Sequence, residues 1–437
     1  MTTLRSISTT MPGRRTAVAF LLLLTSQCAL RVAGAKDAAE KRRYLILGGT
    51  GIRSYPTTEM FLQKGHDVVL LNRGIPYWDV HERLLKPGKV THWKCDREEK
   101  LQNCKPLIDD LGTFEACIDF SSRKWEGIDN ARTYLNDKCG FYIFVSSFKV
   151  YDVSGAIPKL TKKFMHNKGI KEDMMRRPSK AVSPLERHEI IAANPIADAT
   201  FQVEEGLEKN YNSHNGWPYA ILRVGNMLGG REAIMRLWFL QLWLHGHQTL
   251  GMPMHTTSTL PMSFTYSYDI AQAVAKIVTM TRNETLKEEI TGEAFNIACE
   301  EIKDQYSLYY AIGDVIGLPK IEHITNPNRT ESIVMFPENK EGHTMNIEKA
   351  KQVLKFKPTN LEKAIRESAR FYEQAMKGEK WAIQRKIVLG HIASMMGTRR
   401  LVDWVEKRFL EKKGLYDEYD EEEYEEELEE KFRRVEL

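Results

Sequence analysis

The sequence predicts an α/β fold, a doubly wound parallel sheet with a smaller C-terminal lobe that would bind substrate. The first observation is a short apolar strand at 44–47 that runs directly into Gly48-Gly49-Thr50-Gly51. The second is a helix expected at about 57–64, followed by a strand at 67–71. Strand, turn, helix and strand in about thirty residues make a βαβ unit, the beginning of a Rossmann-type sheet.

Beyond this unit, apolar runs of strand length alternate with helical patterns, which calls for a parallel sheet covered on both faces. Residues 152–190 show little periodic pattern and are rich in Lys, Arg, Pro and Met, so we interpret them as a long surface insertion. The predicted strands are 90–93, 116–120, 141–145 and 219–224, and the predicted helices are 199–208, 231–244, 269–281, 304–316, 347–354 and 360–376.

The N-terminus has the pattern of a targeting segment. Arg14 and Arg15 precede the apolar run 17–24, and Ala33-Gly34-Ala35 supplies the small residues of a cleavage site. We therefore predict a signal peptide at 1–35 and entry into the secretory pathway, ending in the endoplasmic reticulum lumen or outside the cell. An uncleaved membrane anchor is the alternative, although the apolar run is short for a bilayer.

Two further regions follow the signal peptide. Residues 36–376 are predicted to form the nucleotide-binding domain, with the substrate lobe mainly from 225–265 and 290–358. Residues 377–437 would be a helical extension, whose last part from Asp417 has 12 acidic and 3 basic residues. Such a tail is typically solvated, and calcium binding or docking to a basic partner are the alternatives. The final residues 434–437 resemble a retrieval signal for the endoplasmic reticulum, with Val435 replacing the usual acid.

Cysteine usage and two sequons agree with an oxidising compartment. Removal of the signal peptide leaves five cysteines, an odd number, so at least one thiol is unpaired. The absence of a Cys-x-x-Cys pair argues against zinc or thioredoxin-like chemistry, and no metal site is predicted. Asn283 and Asn328 begin Asn-x-Thr triplets and are the predicted glycosylation sites.

The glycine-rich turn is the central motif for cofactor binding. Glycines between a strand and a helix let the backbone approach a pyrophosphate at the helix N-terminus. We expect Gly48, Gly49, Thr50, Gly51 and Ser54 to contribute, with Ser54 in place of a third glycine making a looser helix–strand contact. Arg53 and Tyr55 are bulky beside a pyrophosphate. The alternative is therefore a βαβ unit that no longer binds a cofactor.

The end of the second strand indicates which cofactor is preferred. Asn72 stands where an acid would accept hydrogen bonds from the adenosine ribose and favour NAD, and Arg73 follows it. A guanidinium can pair with a 2′-phosphate, so NADP is favoured over NAD. The alternative is that Arg73 is simply a solvated surface arginine.

Eight motifs occur in order over roughly 330 residues. They are 45–51, 65–69, Asp96-Arg97, 145–151, 221–226, 268–271, 292–297 and 346–350 with Phe356-Lys357-Pro358. Together they resemble the extended short-chain dehydrogenase/reductase superfamily, the group of NAD-dependent epimerases and dehydratases. Through this resemblance, Asp96 after the third strand joins the expected cofactor contacts. The variant at 72–74 also resembles a chloroplast stem-loop RNA-binding branch of this superfamily.

The resemblance implies catalysis by a Ser or Thr, a Tyr general acid/base and a Lys four residues later. Ser147 matches the first role, but Ala197 stands at the Tyr position and Phe201 at the Lys position. Shifting this alignment by one residue places neither a Tyr nor a Lys at the two positions. Tyr151 is a candidate near the nicotinamide, and His166 or His188 of the insertion could supply a proton, although each is more often a surface residue.

Three functions remain open from the sequence. They are an NADP-dependent oxidoreductase, epimerase or dehydratase acting on a sugar nucleotide, a binding protein that lost the Tyr/Lys chemistry, and an RNA-binding protein. The charge of +9 that we count over 36–416 shows no concentrated basic surface, so no nucleic acid is expected. A small-molecule ligand and no stable membrane anchor are predicted, while a homodimer and Ca²⁺ on the acidic tail stay open.

Overall fold

Seven parallel strands of the described residues form the central sheet. The computed structural model describes residues 41–75, 78–86, 88–97, 112–135, 137–154, 169–175, 183–251, 260–319, 344–396 and 399–407. The strands of this sheet are β1 Arg43–Leu47, β2 Asp67–Asn72, β3 Thr91–Lys94, β4 Ala116–Asp119, β5 Tyr142–Ser147, β6 Tyr219–Val224 and β9 Glu293–Ile297. Their order across the sheet is β3-β2-β1-β4-β5-β6-β9, which confirms the doubly wound α/β fold class.

The helices of the described residues follow the strands closely, with short 3-10 turns at Phe148–Val153, Glu172–Met174 and Glu379–Trp381. Each predicted helix is present, and its ends differ by a few residues. The helices are α1 Tyr55–Gln63, α2 Val80–Arg83, α3 Trp125–Leu135, α4 Pro184–Ala192, α5 Pro195–Asn212, α6 Arg236–Leu250, α7 Ser267–Met280, α8 Glu284–Ile290, α9 Gln305–Val315, α10 Glu348–Val353, α11 Leu361–Lys377, α12 Ala382–Met396 and α13 Arg400–Val405.

Alternate residues of the sheet strands pack on opposite sides, as the two-residue period of a strand requires. Ile46 and Leu70 lie in a core formed with α7 and the residues around Phe356. Leu45 and Leu71 lie in a second core formed with α3 and α5. Because both faces are covered, the strands are nearly continuous apolar runs, which made them easy to recognise in the sequence.

A second, three-stranded sheet and five helices form the smaller lobe. Its strands are β7 Asn226–Leu228, β8 Met262–Tyr266 and β10 Ile302–Lys303, in the order β10-β8-β7. Helices α6, α9, α11, α12 and α13 share one hydrophobic core with it. The core therefore continues past the expected boundary at 376, because Trp381 and the apolar residues of α12 and α13 pack into it.

The interpretation of 152–190 as a surface insertion is wrong for its described middle part. Ile170 forms a parallel bridge with Met345, and its N–H donates to the Thr344 carbonyl at 2.7 Å. Ile170 is 1% exposed and Glu172 is 8% exposed. Backbone pairing with a segment far along the chain buries this stretch, although its own sequence is polar and irregular.

One disulfide joins neighbouring strands of the central sheet. Cys117 in β4 is bonded to Cys139, which precedes β5, with 5.7 Å between their Cα atoms. Cys95 is also disulfide-bonded. Cys299 is a free, buried thiol, which confirms the expected unpaired cysteine.

Several predictions lie outside the described residues, namely the signal peptide at 1–35, Asn328, His166 and the acidic tail from Asp417. Within the described ranges, none of the helices has the length and apolar character needed to cross a bilayer.

Candidate functional site

The glycine-rich turn connects β1 to α1 at the carboxyl edge of the sheet. Gly48 and Gly49 have φ angles of +103° and +82°, a backbone conformation that residues with a side chain rarely adopt. A Cβ on Gly49 would also lie 2.6 Å from Leu70 Cδ2. By contrast, a Cβ on Gly51 would meet no atom within 4 Å. The fold itself therefore requires the first two glycines, whereas Gly51 leaves open space where a ligand can approach the backbone.

Ser54 is buried and hydrogen-bonded inside the turn. Its Oγ accepts from the Gly51 N–H at 3.1 Å and donates to the Gly51 carbonyl at 3.2 Å. Thr58 Oγ1 donates to the Gly49 carbonyl at 2.9 Å, and Thr50 is buried. These bonds hold the turn in one shape, and they also occupy the Gly51 N–H.

Asn72, at the end of β2, positions the turn. Its Nδ2 donates to the Gly48 carbonyl at 2.7 Å, and its Oδ1 accepts from the Gly74 N–H at 2.8 Å. His92 Nε2 lies 3.0 Å from the same Oδ1. The side-chain amide is therefore used within the protein, so its predicted role in holding the cofactor would be indirect.

Arg73 is exposed, and among the described residues it has no hydrogen-bond or ion-pair partner. Lys94 pairs in register with Asn72, and a Cβ on Gly74 would lie 2.8 Å from Lys94 Cγ. Two cationic side chains thus stand together at the carboxyl ends of β2 and β3. This is the region where the sequence placed recognition of a 2′-phosphate.

Arg97, which sequence reasoning noted only as part of a motif, forms a buried ion pair with Asp119. Its Nη1 lies 2.9 Å from Asp119 Oδ1, and its Nη2 donates to the Gly127 carbonyl at 2.9 Å. Tyr142 donates to Asp119 at 2.6 Å. Burial alone would raise the pKa of Asp119, but Arg97 and these hydrogen bonds hold it below its usual value. The neighbouring Asp96 is half-buried.

Ser147 ends β5 at the same edge of the sheet. It is half-buried, and its Oγ accepts from the Lys149 N–H at 3.3 Å. Lys149 Nζ lies 3.4 Å from Asp152 and 5.3 Å from the centre of the Phe148 ring. The predicted position of Ser147, beside the end of β5, agrees with the structure.

Tyr151 belongs to a buried polar network. Its hydroxyl donates to Asn296 Oδ1 at 2.7 Å and accepts from Arg223 Nη1 at 3.1 Å. Tyr151 is 1% exposed, and burial raises its pKa to about 12. A proton donor must reach its substrate and titrate near the working pH. This geometry argues against the catalytic role expected for Tyr151.

The same network ties α5 and the insertion to the sheet. Arg223 Nη2 lies 2.7 Å from Glu204 Oε2, and Nη1 donates to the Glu172 carbonyl at 3.0 Å. Ser146 Oγ donates to Glu204 at 2.5 Å. The Glu172 carboxylate accepts from the Asn296 N–H at 2.7 Å, and burial raises its pKa. The buried groups at this edge therefore mostly satisfy one another.

Ala197 and Phe201, which stand where the Tyr and the Lys were expected, lie on α5 and are apolar. Ala197 is 3% exposed and Phe201 is 8% exposed. A slip of one residue gives Ile196, which is 63% exposed, and Thr200, which donates to the Ile196 carbonyl. The hydrophobic cluster around Ala197 and Phe201 contains Phe148, Val150, Tyr151, Val153, Ile170, Met175, Ala298, Met345 and Ile347.

Solved structures share this fold over most of the chain. An epimerase of Methanothermobacter thermautotrophicus matches with a TM-score of 0.58 and 14% identity, covering 80% of this chain and 96% of the other. The dTDP-glucose 4,6-dehydratase of Bacillus anthracis, solved with NAD, matches with a TM-score of 0.56 and 14% identity, covering 76% and 97%. The UDP-glucuronic acid 4-epimerase of Bacillus cereus, solved with UDP-glucuronic acid and NAD, gives 0.54 and 16%, covering 76% and 99%.

At sequence level the chain stands apart from these proteins. No protein-family model matches it, and no curated protein matches it. Identities of 14–16% establish a shared fold and do not transfer an activity. The chain therefore has the Rossmann-type α/β fold that these solved epimerases and this dehydratase share.

Proposed function

We propose that this chain binds a dinucleotide and a sugar nucleotide or similar small molecule in the secretory pathway, without the usual Tyr/Lys catalysis. The observation that carries the proposal is the hydrophobic cluster at the positions of the missing catalytic pair. Ala197 and Phe201 are buried there against the described part of the insertion. General acid–base catalysis is commonly worth about 10²–10⁴-fold, so a site without it should be slow or silent.

The glycine turn supports the cofactor part of the proposal. Gly51 leaves open space at the start of α1, and this geometry fits the pyrophosphate of a dinucleotide. Gly48, Gly49, Thr50 and Ser54 would shape the turn. The nicotinamide of a bound cofactor would supply hydride-transfer chemistry. Ser147 is the residue at the end of β5 that would hydrogen-bond an oxygen of the second ligand.

Turnover assays with purified mature protein test the catalytic part. We expect binding of NADPH but little or no conversion of common sugar nucleotides, and we expect Ser147→Ala to leave that low rate unchanged. Ser147→Thr, which keeps a hydroxyl, is the matched variant. Robust turnover in the parent protein that falls strongly in Ser147→Ala and survives in Ser147→Thr would instead favour an active NADP-dependent oxidoreductase or epimerase.

NADP should bind more tightly than NAD, because Arg73 and Lys94 are cationic neighbours at the strand ends and no acid stands at position 72. Calorimetry should find that Arg73→Ala weakens NADPH binding by about tenfold, which corresponds to the loss of one charge-assisted hydrogen bond. The affinity for NADH should not change. Arg132→Ala, which removes an arginine paired with Asp129 on α3, is the control. Equal weakening of both cofactors by Arg73→Ala would contradict the assignment.

The secretory location is supported by two structural features. The bonded state of Cys117, Cys139 and Cys95 is typical of an oxidising compartment. Asn283 and Thr285 of one sequon are both exposed. We expect cleavage after Ala35 and a glycan on Asn283, and Asn283→Gln should remove a mass shift seen on deglycosylation. An intact N-terminus at Met1 together with no glycan would contradict secretory entry.

A further inference from the structure

The segment between β7 and α6, residues 229–235, is bound on two sides, and we call it the strap. On the side of the smaller lobe, the Tyr372 hydroxyl donates to the Gly229 carbonyl and accepts from the Glu232 N–H, both at 3.2 Å. On the side of the glycine turn, a Cβ on Gly229 would lie 3.5 Å from Ile52 Cγ1. The strap therefore connects the smaller lobe to the glycine turn.

Two consecutive residues of the nucleotide-binding domain, Trp78 and Asp79, hold the strap, and we call them the hook. They lie between β2 and α2. Asp79 is 4% exposed and accepts from Arg231, at 2.5 Å from Nε and 3.0 Å from Nη2. The Trp78 indole N–H donates to the Glu232 carbonyl at 3.0 Å. The hook thus binds both a side chain and a backbone group of the strap.

The hook and the strap also pack against aromatic residues of both lobes. The centre of the Trp78 ring lies 5.3 Å from that of Phe371 and 5.2 Å from that of Trp381. The Arg231 guanidinium lies 4.9 Å from the centre of the Phe371 ring and 4.5 Å from that of Tyr55. Because Trp381 follows α11, the C-terminal extension takes part in joining the two lobes.

The backbone on both sides of this joint is strained. Trp78, Arg231 and Met235 have φ angles of +56°, +65° and +52°, a region that residues other than glycine seldom adopt. Such conformations persist only where the surrounding contacts impose them, and they cluster at clamps and switches. Loss of the contacts between Asp79 and the strap would therefore let the strap relax into a second conformation.

We propose that the strap is a latch at the ligand edge, which the hook holds closed against the glycine turn. Ile52 directly follows Gly51, so its contact with Gly229 places the closed strap at the rim of the open space beside Gly51. Movements of such segments commonly govern the entry and release of ligands. The inference rests on the proposed function for the identity of the ligand, whereas opening of the strap itself requires no ligand.

Hydrogen–deuterium exchange of the full mature chain without ligand tests the latch. Asp79→Asn keeps the shape of the side chain but removes its charge, so the amides of 230–236 should exchange about tenfold or more faster. The amides of 219–224 in the central sheet should not change. Asp129→Asn, which alters the partly exposed pair with Arg132 on α3, is the matched control and should leave the strap as it is. Unchanged exchange of the strap in Asp79→Asn would overturn the proposal.

Trp78→Phe is the milder variant and decides the question if Asp79→Asn does not fold. It keeps an aromatic ring but removes the N–H that donates to the Glu232 carbonyl. Faster exchange confined to the strap would support the latch. Faster exchange spread equally over the central sheet, or no change at all, would contradict it.

Stopped-flow binding of NADPH, followed by its fluorescence, connects the latch to the ligand edge. If the ligand enters and leaves through the open state, Asp79→Asn should raise the association and dissociation rates together, each by about tenfold. The affinity should then change much less than either rate. Unchanged rates together with faster exchange of the strap would refute its role in ligand entry. If NADPH does not bind the parent protein, the cofactor proposal fails, and the exchange measurement alone decides the latch.

Discussion

The buried ion pair between Arg223 and Glu204 gives the sharpest test of how the β5–β6 edge is held together. Arg223 is 5% exposed and Glu204 is 4% exposed. The Arg223 guanidinium also donates to the Tyr151 hydroxyl and the Glu172 carbonyl. Glu204→Gln would keep the shape of the side chain but leave Arg223 buried without a full counter-charge. Removing one partner of such a pair typically lowers the free energy of unfolding by about 3–5 kcal/mol.

Urea unfolding followed by tryptophan fluorescence measures this loss. With slopes of about 1–3 kcal/mol per molar urea, Glu204→Gln should lower the midpoint by roughly 1 M or more. Arg223→Met should have a similar effect, and the double variant Arg223→Met/Glu204→Leu should lose much less than the sum. Arg132→Gln, which breaks a partly exposed pair, should change stability by at most about 1 kcal/mol. Losses below 1 kcal/mol for both single variants would refute the proposed role of the network.

Two further outcomes are expected. Reduction of the Cys117–Cys139 disulfide, which spans 22 residues, should destabilise the protein by about 3 kcal/mol, measured by urea unfolding with and without reductant and with Cys117→Ala/Cys139→Ala as the check. Restoring the missing pair as Ala197→Tyr/Phe201→Lys should lower Tm and produce no turnover, because the ammonium would be buried among apolar side chains. Phe201→Leu is its control, and a stable, active double variant would contradict this expectation.

Much of the fold could be predicted from the sequence because its signals are local. The strand predicted at 219–224 coincides with β6, and the predictions at 116–120 and 67–71 each differ from the observed strands by one residue. Strands buried on both faces carry continuous apolar runs, and the helices between them begin and end at recognisable residues. The glycine turn was equally clear, since backbone at φ angles such as the +103° of Gly48 strongly favours glycine.

The burial of the insertion could not be predicted in the same way. The stretch 169–175 contains Lys171, Glu172 and Asp173 and has no apolar period. It is buried because its backbone pairs with Thr344 to Asn346 and because Arg223 and Asn296 satisfy Glu172. The backbone pairing of Ile170 with Thr344 and Asn346 joins residues more than a hundred positions apart, so the local sequence pattern does not reveal it.

The side-chain contacts of the candidate site could not be predicted from the sequence. Sequence reasoning assigned Asn72 and Ser54 to the cofactor, whereas their side chains bond the protein's own backbone. It regarded Arg53 as an obstacle beside a pyrophosphate. Which groups a turn uses for its own hydrogen bonds depends on its three-dimensional shape, which the local sequence does not give.

The two halves of this edge differ in how their space is filled, and this difference supports binding without turnover. At the β1–β4 half, a Cβ on Gly51 would meet no atom within 4 Å, so the backbone is open to a ligand. At the β5–β6 half, Arg223 and Glu204 neutralise each other, and apolar residues occupy the positions of the proton-transfer pair. Recognition of a phosphoryl group at the turn depends on open space beside the backbone, while proton transfer depends on a titratable group that faces the ligand. Loss of the Tyr/Lys pair leaves the turn unchanged, so we expect dinucleotide binding to persist independently of chemistry.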